Sequence, residues 1–546
     1  MGQDRKGNRQ ADTLLKGTLV LTAAGIIVKI IGSLNWVILS QVLGGEGIGL
    51  YQMAFPIYLL FLSISTAGIP VAISIITADK VAVCDYRGAN RVFRLSLTLL
   101  AGLGLFFSVL MYCGAAWLID CGLIRDGRAY YALVALSPAI FLVTILSSFR
   151  GYLQGWQIMT PTAVSQIAEQ VFRVGAMLFF ANTFLYKGLE YAAGGASLGA
   201  GTGAAAALAV LVYYYWRFQA GFQSARESQA VSIEPEAGGS IIRRIFKLAL
   251  PVSLSSIMLP LVANLDLVVV PVRLEAAGYT VEQATELFGY LTGMAVPLVN
   301  LATVLTAALA TSLVPAISEA YSQGDYRCVL QRIAAAIRLA SLVTIPGSVA
   351  LWLLAEPVAG VIYHAPQAGE PIRILAAGVF LLGLHQITTG VLQGIGRTAI
   401  PVASMGVAAL IKVMLNWLLT AIPALGIQGA AWATVADIGL AAALNLYFVH
   451  RYTGFCPDIR NLGKIIGAAM AMGGVMFFCY DRIFVLTSGH ASATLIALVL
   501  GGGVYSIVLL ALGGVNERDI ERLPLVGLVL ANTLRSLGIF RRPMSE

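Results

Sequence analysis

Read for hydrophobic and polar positions, the chain is a succession of apolar runs, each long enough to cross a bilayer. A helix needs about 20 apolar residues to span the hydrocarbon core. Such runs fall near 18–42, 49–78, 92–119, 130–149, 162–181 and 191–216. A polar stretch from Arg217 to Arg244, with Glu234, Pro235 and Glu236 near its centre, then interrupts them. Eight more runs follow near 245–270, 289–318, 333–355, 372–392, 399–422, 427–450, 464–486 and 492–513. The first is too long for a signal-peptide core and is followed by no small-residue cleavage site, so it reads as a retained span. The pattern predicts an all-α polytopic membrane protein with about fourteen transmembrane helices.

Composition supports this. The 546 residues are 58% hydrophobic and 11% charged, with a mean hydropathy of +0.83, whereas a soluble chain carries roughly a quarter charged residues. The formal charge is +8. With the N-terminus inside, about 26 of the 35 basic residues fall on cytoplasmic loops and about 5 outside, the bias expected of a membrane protein. The cytoplasmic set runs from Arg5 and Lys16 through Arg87, Arg150, Arg243 and Arg397 to the Arg518–Arg542 group, placing both termini in the cytoplasm. Basic residues spread over many loops form no nucleic-acid face. The six cysteines show no CxxC spacing and the four histidines are dispersed, so neither a metal site nor a cofactor is expected.

The chain also repeats itself at about 240 residues. Gly151-Tyr-Leu-Gln-Gly155 with Pro161 beyond it is matched by Gly390-Val-Leu-Gln-Gly394 with Pro401. Asp85-Tyr86-Arg87 is matched by Asp325-Tyr326-Arg327, Pro56 and Pro70 by Pro297 and Pro315, and Arg173 by Lys412. Each repeat holds six spans, an even number, so both halves enter from the same side. The expected plan is two parallel six-helix lobes, 1–216 and 245–450, related by a pseudo-two-fold axis along the membrane normal. A linker over 217–244 joins them, helices 13–14 occupy 451–513, and 514–546 form a cytoplasmic tail.

Charge at the bilayer centre costs roughly 2.5–3.5 kcal/mol on insertion scales, so each instance calls for a reason. Lys29, Arg173 and Lys412 lie midway along spans 1, 5 and 11. In one reading they line a hydrated cavity, with Asn35 beside Lys29, and attract an anionic headgroup. An arginine fork suits a diphosphate because it donates two hydrogen bonds at once. In the other they are structural pairs, Glu169 with Arg173 one turn on and Asp437 with Lys412. Lys29 has no carboxylate in its own span, and Asp266 either pairs with it or binds a coupling ion. Pro56, Pro70, Pro297 and Pro315 are gating bends or packing kinks. The small-residue run Gly194–Gly203 predicts close helix packing rather than a phosphate loop, and His385 an interhelical hydrogen bond rather than a proton relay.

Leu15-Lys16-Gly17-Thr18-Leu19, Lys29-Ile-Ile-Gly32, Gly44-Gly-Glu-Gly-Ile-Gly-Leu-Tyr51 and Gly68-Ile-Pro-Val-Ala-Ile-Ser74 resemble the polysaccharide-transporter branch of the MOP (multidrug/oligosaccharidyl-lipid/polysaccharide) flippase superfamily. The likeness is strongest to its sporulation-type and MurJ-type lipid II flippase members. It implies a cationic central cavity and export of an undecaprenyl-diphosphate-linked sugar across a bacterial plasma membrane by alternating access, with helices 13–14 helping to hold the polyprenyl tail. It implies that Lys29 is a cavity cation. Two further cavity arginines of that family fall at Asn35 and near Leu60 or Phe61 here, which fits the sporulation-type branch better. The implied partners are the lipid-linked glycan, the bilayer and cell-wall synthases. Outward movement of two negative charges gains roughly 4.6 kcal/mol per 100 mV of inside-negative potential, and a coupled Na+ or H+ would offset part of it. A multidrug/cation antiporter of the same superfamily is the alternative, expected to have twelve spans and a carboxylate in the N-terminal lobe for cation exchange. A membrane glycan polymerase or ligase is disfavoured because the longest outer loops, Pro271–Phe288 and Glu356–Pro371, hold no acid/base cluster.

Overall fold

A computed structural model describes residues 2–66, 68–227, 236–487 and 489–514, without the side chains of residues 2–20, 22, 23, 26, 220–227, 251, 252, 254, 255, 259, 486 and 487. The linker centre at Glu234 and Pro235, and the tail with Arg518 to Arg542, lie outside the described residues. Among the described residues the fold is helical with no strand. Twelve stretches among the described residues are long and apolar enough to cross a membrane. One of them, Ile27–Ala82, has 56 residues, about 84 Å at 1.5 Å per residue, and covers the first two expected spans. The fifth expected span is the helix that carries Glu169 and Arg173, and it is less apolar. Exposed Phe106, Phe179, Trp216, Leu410 and Phe478 form the kind of apolar surface that only lipid can cover.

The first helix, α1 (Gly2–Thr66), bends at Gly44, whose φ of 66° and ψ of −173° lie outside helical space and are cheap only for glycine. A second break follows at Gly68, in the left-handed region, and α2 (Ile69–Ala82) starts with Pro70 in its first turn. Pro70 therefore begins a helix, where its missing N–H costs nothing, while Pro56 sits inside α1. Then come α3 (Tyr86–Asp120), α4 (Tyr130–Gly155), α5 (Thr160–Phe184), α6 (Leu189–Glu227) and α7 (Gly238–Ala276). Helix α8 (Val281–Gly289) forms at the end of the expected outer loop Pro271–Phe288, and the eighth expected span is broken into a π-helical turn at Tyr290–Ala295, α9 (Val296–Ala302) and α10 (Val304–Ser322). Pro297 starts α9 and Pro315 lies within α10. The remaining helices are α11 (Tyr326–Leu353), α12 (Ala355–Tyr363), α13 (Gly369–Gly394), α14 (Ala399–Leu419), α15 (Ile427–Thr453), α16 (Ile459–Thr487) and α17 (His490–Ala511).

The chain divides into two compact units, Met1–Gly293 and Met294–Glu546. Helices α7 and α8 pack in the first, so this boundary falls later than the linker at 217–244.

Each unit shows why its copy of the repeat is there. In the first, a Cβ at Gly151 would meet the Pro70 carbonyl oxygen at 2.6 Å and one at Gly155 the Ser74 oxygen at 2.8 Å. In the second, Gly390 meets the Ala310 oxygen at 2.8 Å and Gly394 the Val314 oxygen at 2.9 Å. The two glycines of each motif thus let one helix ride on the backbone of another. Asp85 caps α3 by accepting from the Gly88 amide at 2.8 Å, and Asp325 caps α11 from the Cys328 amide at 2.9 Å. A third contact is inverted. Gly104 of α3 abuts Thr144 of α4, while Thr344 of α11 abuts Gly383 of α13.

Helices α16 and α17 dock on α11 through Ile465, Ala468, Ala469 and Leu509 around Ile345. The Tyr505 hydroxyl donates to the Leu342 carbonyl at 2.9 Å. Lys464 and Arg338 donate to the carbonyls of Gly513 and Gly514 just past the end of α17, where the helix dipole favours cations.

Candidate functional site

The first unit holds a buried charge cluster built from α4 and α5. Glu169 and Arg173 are one turn apart on α5, and the Glu169 Oε1 accepts from Arg173 Nη2 at 2.6 Å. The other oxygen, Oε2, accepts from Arg150 Nη2 at 2.9 Å. Arg150 also donates through Nε and Nη2 to the Ser165 hydroxyl at 3.2 Å, which donates onward to the Thr162 carbonyl at 2.8 Å. The side chains of Arg150, Glu169 and Arg173 keep 18, 15 and 25% exposure, so the trio is neither sealed nor on an open surface. Two guanidinium groups against one carboxylate leave it with a net charge of +1.

The position of α5 is set by α6. Cβ atoms at Gly199 and Gly203 would stand 2.7 and 2.6 Å from the Arg173 and Glu169 carbonyl oxygens. The Gly194–Gly203 run is therefore a packing surface. On another side of α5, α1 brings Gly32 against Gln170, and Asn35 Nδ2 reaches Met177 Sδ at 3.1 Å. Buried Tyr51 and Tyr58 of α1 lie within electrostatic reach of Arg173. Two buried atoms here have no hydrogen-bond partner, Asn35 Oδ1 and Arg173 Nε, one an acceptor and one a donor.

The pair expected between Glu169 and Arg173 is thus present, and a residue read from sequence as cytoplasmic joins it. Arg150 is not a loop charge. It lies in the last turns of α4 and turns onto the Glu169 carboxylate of α5. Its signal in the sequence is broken symmetry, since the equivalent position in the second repeat is Thr389. Asn35 comes to this neighbourhood but Lys29 does not. Six residues at 100° each put the two about 120° apart around α1, and Lys29 is exposed. Among the described residues Lys29 makes no ion pair, so it is not joined to Asp266, which is half-buried on α7 and has its own interactions. Asn264, two residues before Asp266, donates to the carbonyls of Pro56 and Pro260 at 2.8 and 2.7 Å.

In the second unit Lys412 is only 5% exposed, on a face of α14 that also buries Ser404, Asn416 and Thr420. Ser404 Oγ and Thr420 Oγ1 have no partner. Lys412 and Asp437 are each engaged, and α14 packs along α15, which carries Asp437. His385 Nδ1 meets Asn445 Nδ2 at 3.3 Å, the interhelical contact expected of it.

A second polar cluster, unforeseen in the sequence, ties together three parts of the first unit outside the spans expected from sequence. Arg128 meets Asp126 through Nε at 3.0 Å and Nη2 at 2.7 Å, and Glu46 through Nη1 at 2.6 Å. The Thr285 hydroxyl of α8 lies 2.9 Å from Asp126 Oδ2. Burial of Asp126 opposes its ionisation, but hydrogen bonds from the Arg128 side chain and amide and from Thr285 outweigh it and hold the carboxyl below the usual range. Nearby, Arg125 makes a two-nitrogen fork to Glu275 at the end of α7, at 2.8 and 2.6 Å.

Comparison with known proteins assigns the family. Residues 14–321, more than half the chain, match the family model described as "Polysaccharide biosynthesis protein". Stage V sporulation protein B of Bacillus subtilis (strain 168) is 30% identical over 94% of this chain and 98% of its own length. The chain belongs to the polysaccharide biosynthesis protein family. Its second half overlaps the MatE model over residues 292–418, as expected within the MOP superfamily. The "Lipid II flippase MurJ" of the same organism is 26% identical over 94% of this chain and 97% of its own. Among solved structures, lipid II flippase MurJ in an inward closed conformation superposes with a TM-score of 0.66 at 15% identity, covering 90% of this chain and 98% of that one. An inward-facing multidrug MATE transporter gives 0.65 at 17% identity, over 80% and 98%. The fold of this family member is thus the MOP fold.

Proposed function

We propose that this chain is a flippase that carries a polyprenyl-diphosphate-linked glycan from the inner to the outer leaflet of a bacterial plasma membrane, with both termini cytoplasmic. The observation that carries the reading is the net-positive Arg150–Glu169–Arg173 trio inside the membrane-spanning first unit. An unbalanced buried cation is costly unless an anion completes it, and arginine forks are the donors that suit phosphate oxygens. Lys412, buried at the Arg173 position of the second repeat, is the matching cation of the other lobe, and exposed Lys29 a further one along the route. The names of two relatives, stage V sporulation protein B and lipid II flippase MurJ, point to a cell-wall or spore-cortex precursor.

Two apolar grooves flanking α11 suit a polyprenyl tail. One, of about 500 Å³, is lined by Val349, Trp352, Met470, Gly473 and Phe477. The other, of about 420 Å³, is lined by Leu301, Leu351, Val361, Leu495 and Leu498. Helices α16 and α17, which have no counterpart in the repeat, supply one wall of each. The membrane potential drives export of the anionic headgroup by alternating access.

A cation antiporter needs a carboxylate open to its ion, and both oxygens of Glu169 are taken by guanidinium groups, which weighs against that reading. The test is translocation of headgroup-labelled lipid II in proteoliposomes, with a potential negative on the labelled side. The reading expects flipping that accelerates with the potential. Folded protein that moves neither lipid II nor another polyprenyl-diphosphate sugar would overturn it.

A further inference from the structure

We propose that Glu169 is a resident competitor for the anion site, occupying in the empty carrier the place that the diphosphate takes when it loads. The proposal deepens the flippase reading and rests on it.

Glu169 presents two oxygens to two guanidinium groups that arrive from different helices, Arg150 from α4 at 2.9 Å and Arg173 from α5 at 2.6 Å. Two oxygens of one phosphate can be held in the same way, by one fork each. One donor of the trio is left over. Arg173 Nε is buried and has no partner, and it needs an acceptor that the protein does not provide. Asn35 Oδ1, 5% exposed as a residue and also without a partner, is a buried acceptor on the adjoining face of α1, suited to a hydroxyl or amide of a sugar next to the phosphate.

The second repeat acts as an internal control. At the same register α14 carries Ser404, Ala408, Lys412 and Asn416 where α5 carries Ser165, Glu169, Arg173 and Met177. Ala408 is buried, and the packing of α14 needs no carboxylate there. Neither Glu169 nor Arg150 is therefore required by the repeat fold, and the two occur together at one site. A carboxylate added to an anion site weakens it. That is useful in a carrier, because a site that held the diphosphate too tightly would not let it go. When the ligand leaves, Glu169 returns to both arginines and leaves neither stranded.

The ligand class is a diphosphate ester of a long-chain alcohol. The free alcohol, which offers no anionic oxygen to either guanidinium group, does not bind.

Two measurements on the full-length protein test the inference, namely equilibrium binding of a short-chain polyprenyl diphosphate in detergent and turnover in the proteoliposome assay. Inorganic diphosphate serves as a second probe, to separate headgroup from lipid recognition. Glu169→Gln is expected to bind the diphosphate about tenfold more tightly and to flip more slowly, a split in which affinity and turnover move in opposite directions. Glu282→Gln, which removes the same charge at an exposed position, is expected to change neither. Arg150→Gln, which leaves a neutral Glu169–Arg173 pair, is expected to bind about tenfold more weakly and keeps the inference testable should Glu169→Gln fail to fold. Wild-type binding that Glu169→Gln weakens or leaves unchanged, or that Arg150→Gln leaves intact, overturns the inference while the flippase reading stands. A wild type that binds no diphosphate overturns both.

Discussion

Gly49 of α1 lies directly against Thr285 of α8, so closely that a Cβ at Gly49 would stand 2.0 Å from the Thr285 carbonyl oxygen. One turn away the contact is reciprocal, with a Cβ at Gly289 falling 2.1 Å from the Gly45 oxygen. Three glycines, Gly45 and Gly49 on α1 and Gly289 on α8, thus let the two helices touch along their backbones just after the Gly44 bend. Neither oxygen can move without displacing its helix. Gly49→Ala and Gly289→Ala are each expected to destabilise the protein by about 1–3 kcal/mol through overpacking. Gly102→Ala, whose Cβ meets nothing within 4 Å, is expected to be neutral or slightly stabilising. Thermal unfolding of the three variants in one detergent distinguishes them.

Above this contact, Asp126 joins Arg128 and Thr285. Its carboxyl is held below the usual range in the folded protein, so the stability it contributes is present above the unfolded-state value near 3.9 and is lost as pH falls through the lower folded value. Asp126→Asn is expected to cost about 1–3 kcal/mol at pH 7, because it strands buried donors. The difference between wild type and variant is expected to shrink below about pH 4. Melting temperatures of both proteins from pH 3 to pH 7 give the comparison.

The two lobes make the same contact with its residues exchanged, Gly104 against Thr144 in one and Thr344 against Gly383 in the other. Each partner of the pair can be the small one provided the other is large. Gly104→Thr is expected to cost about 1–3 kcal/mol. Combining it with Thr144→Gly is expected to recover part of that loss, with a coupling energy of about 0.5–3 kcal/mol. A double-mutant cycle on unfolding measures it.

Each expected span carries helix, because apolar length and the cost of an unpaired backbone in lipid leave little freedom. The repeat was equally legible, since Gly151, Gly155, Gly390 and Gly394 are fixed by backbone approach and cannot drift. Breaks inside spans were not. Hydropathy is continuous across Gly68 and across Thr303, and nothing in the pattern shows that Pro70 and Pro297 start helices while Pro56 and Pro315 interrupt them. The site was half legible. The four-residue spacing of Glu169 and Arg173 predicts their pair, but a charge at a helix end can face the loop or turn inward. Arg150 turned inward because a carboxylate 19 residues on had an oxygen to spare.

The central claim is that a cation fixed on α5 handles a diphosphate headgroup, and the measurement that tests it most directly is lipid II translocation by Arg173→Gln beside the wild type and Arg373→Gln. Arg373 pairs with Glu356 at an exposed position and serves as a control for lost charge. Arg173→Gln that folds yet flips at the rate of empty vesicles, with Arg373→Gln unimpaired, is the result expected. Arg173→Gln that flips lipid II at the wild-type rate would contradict the account.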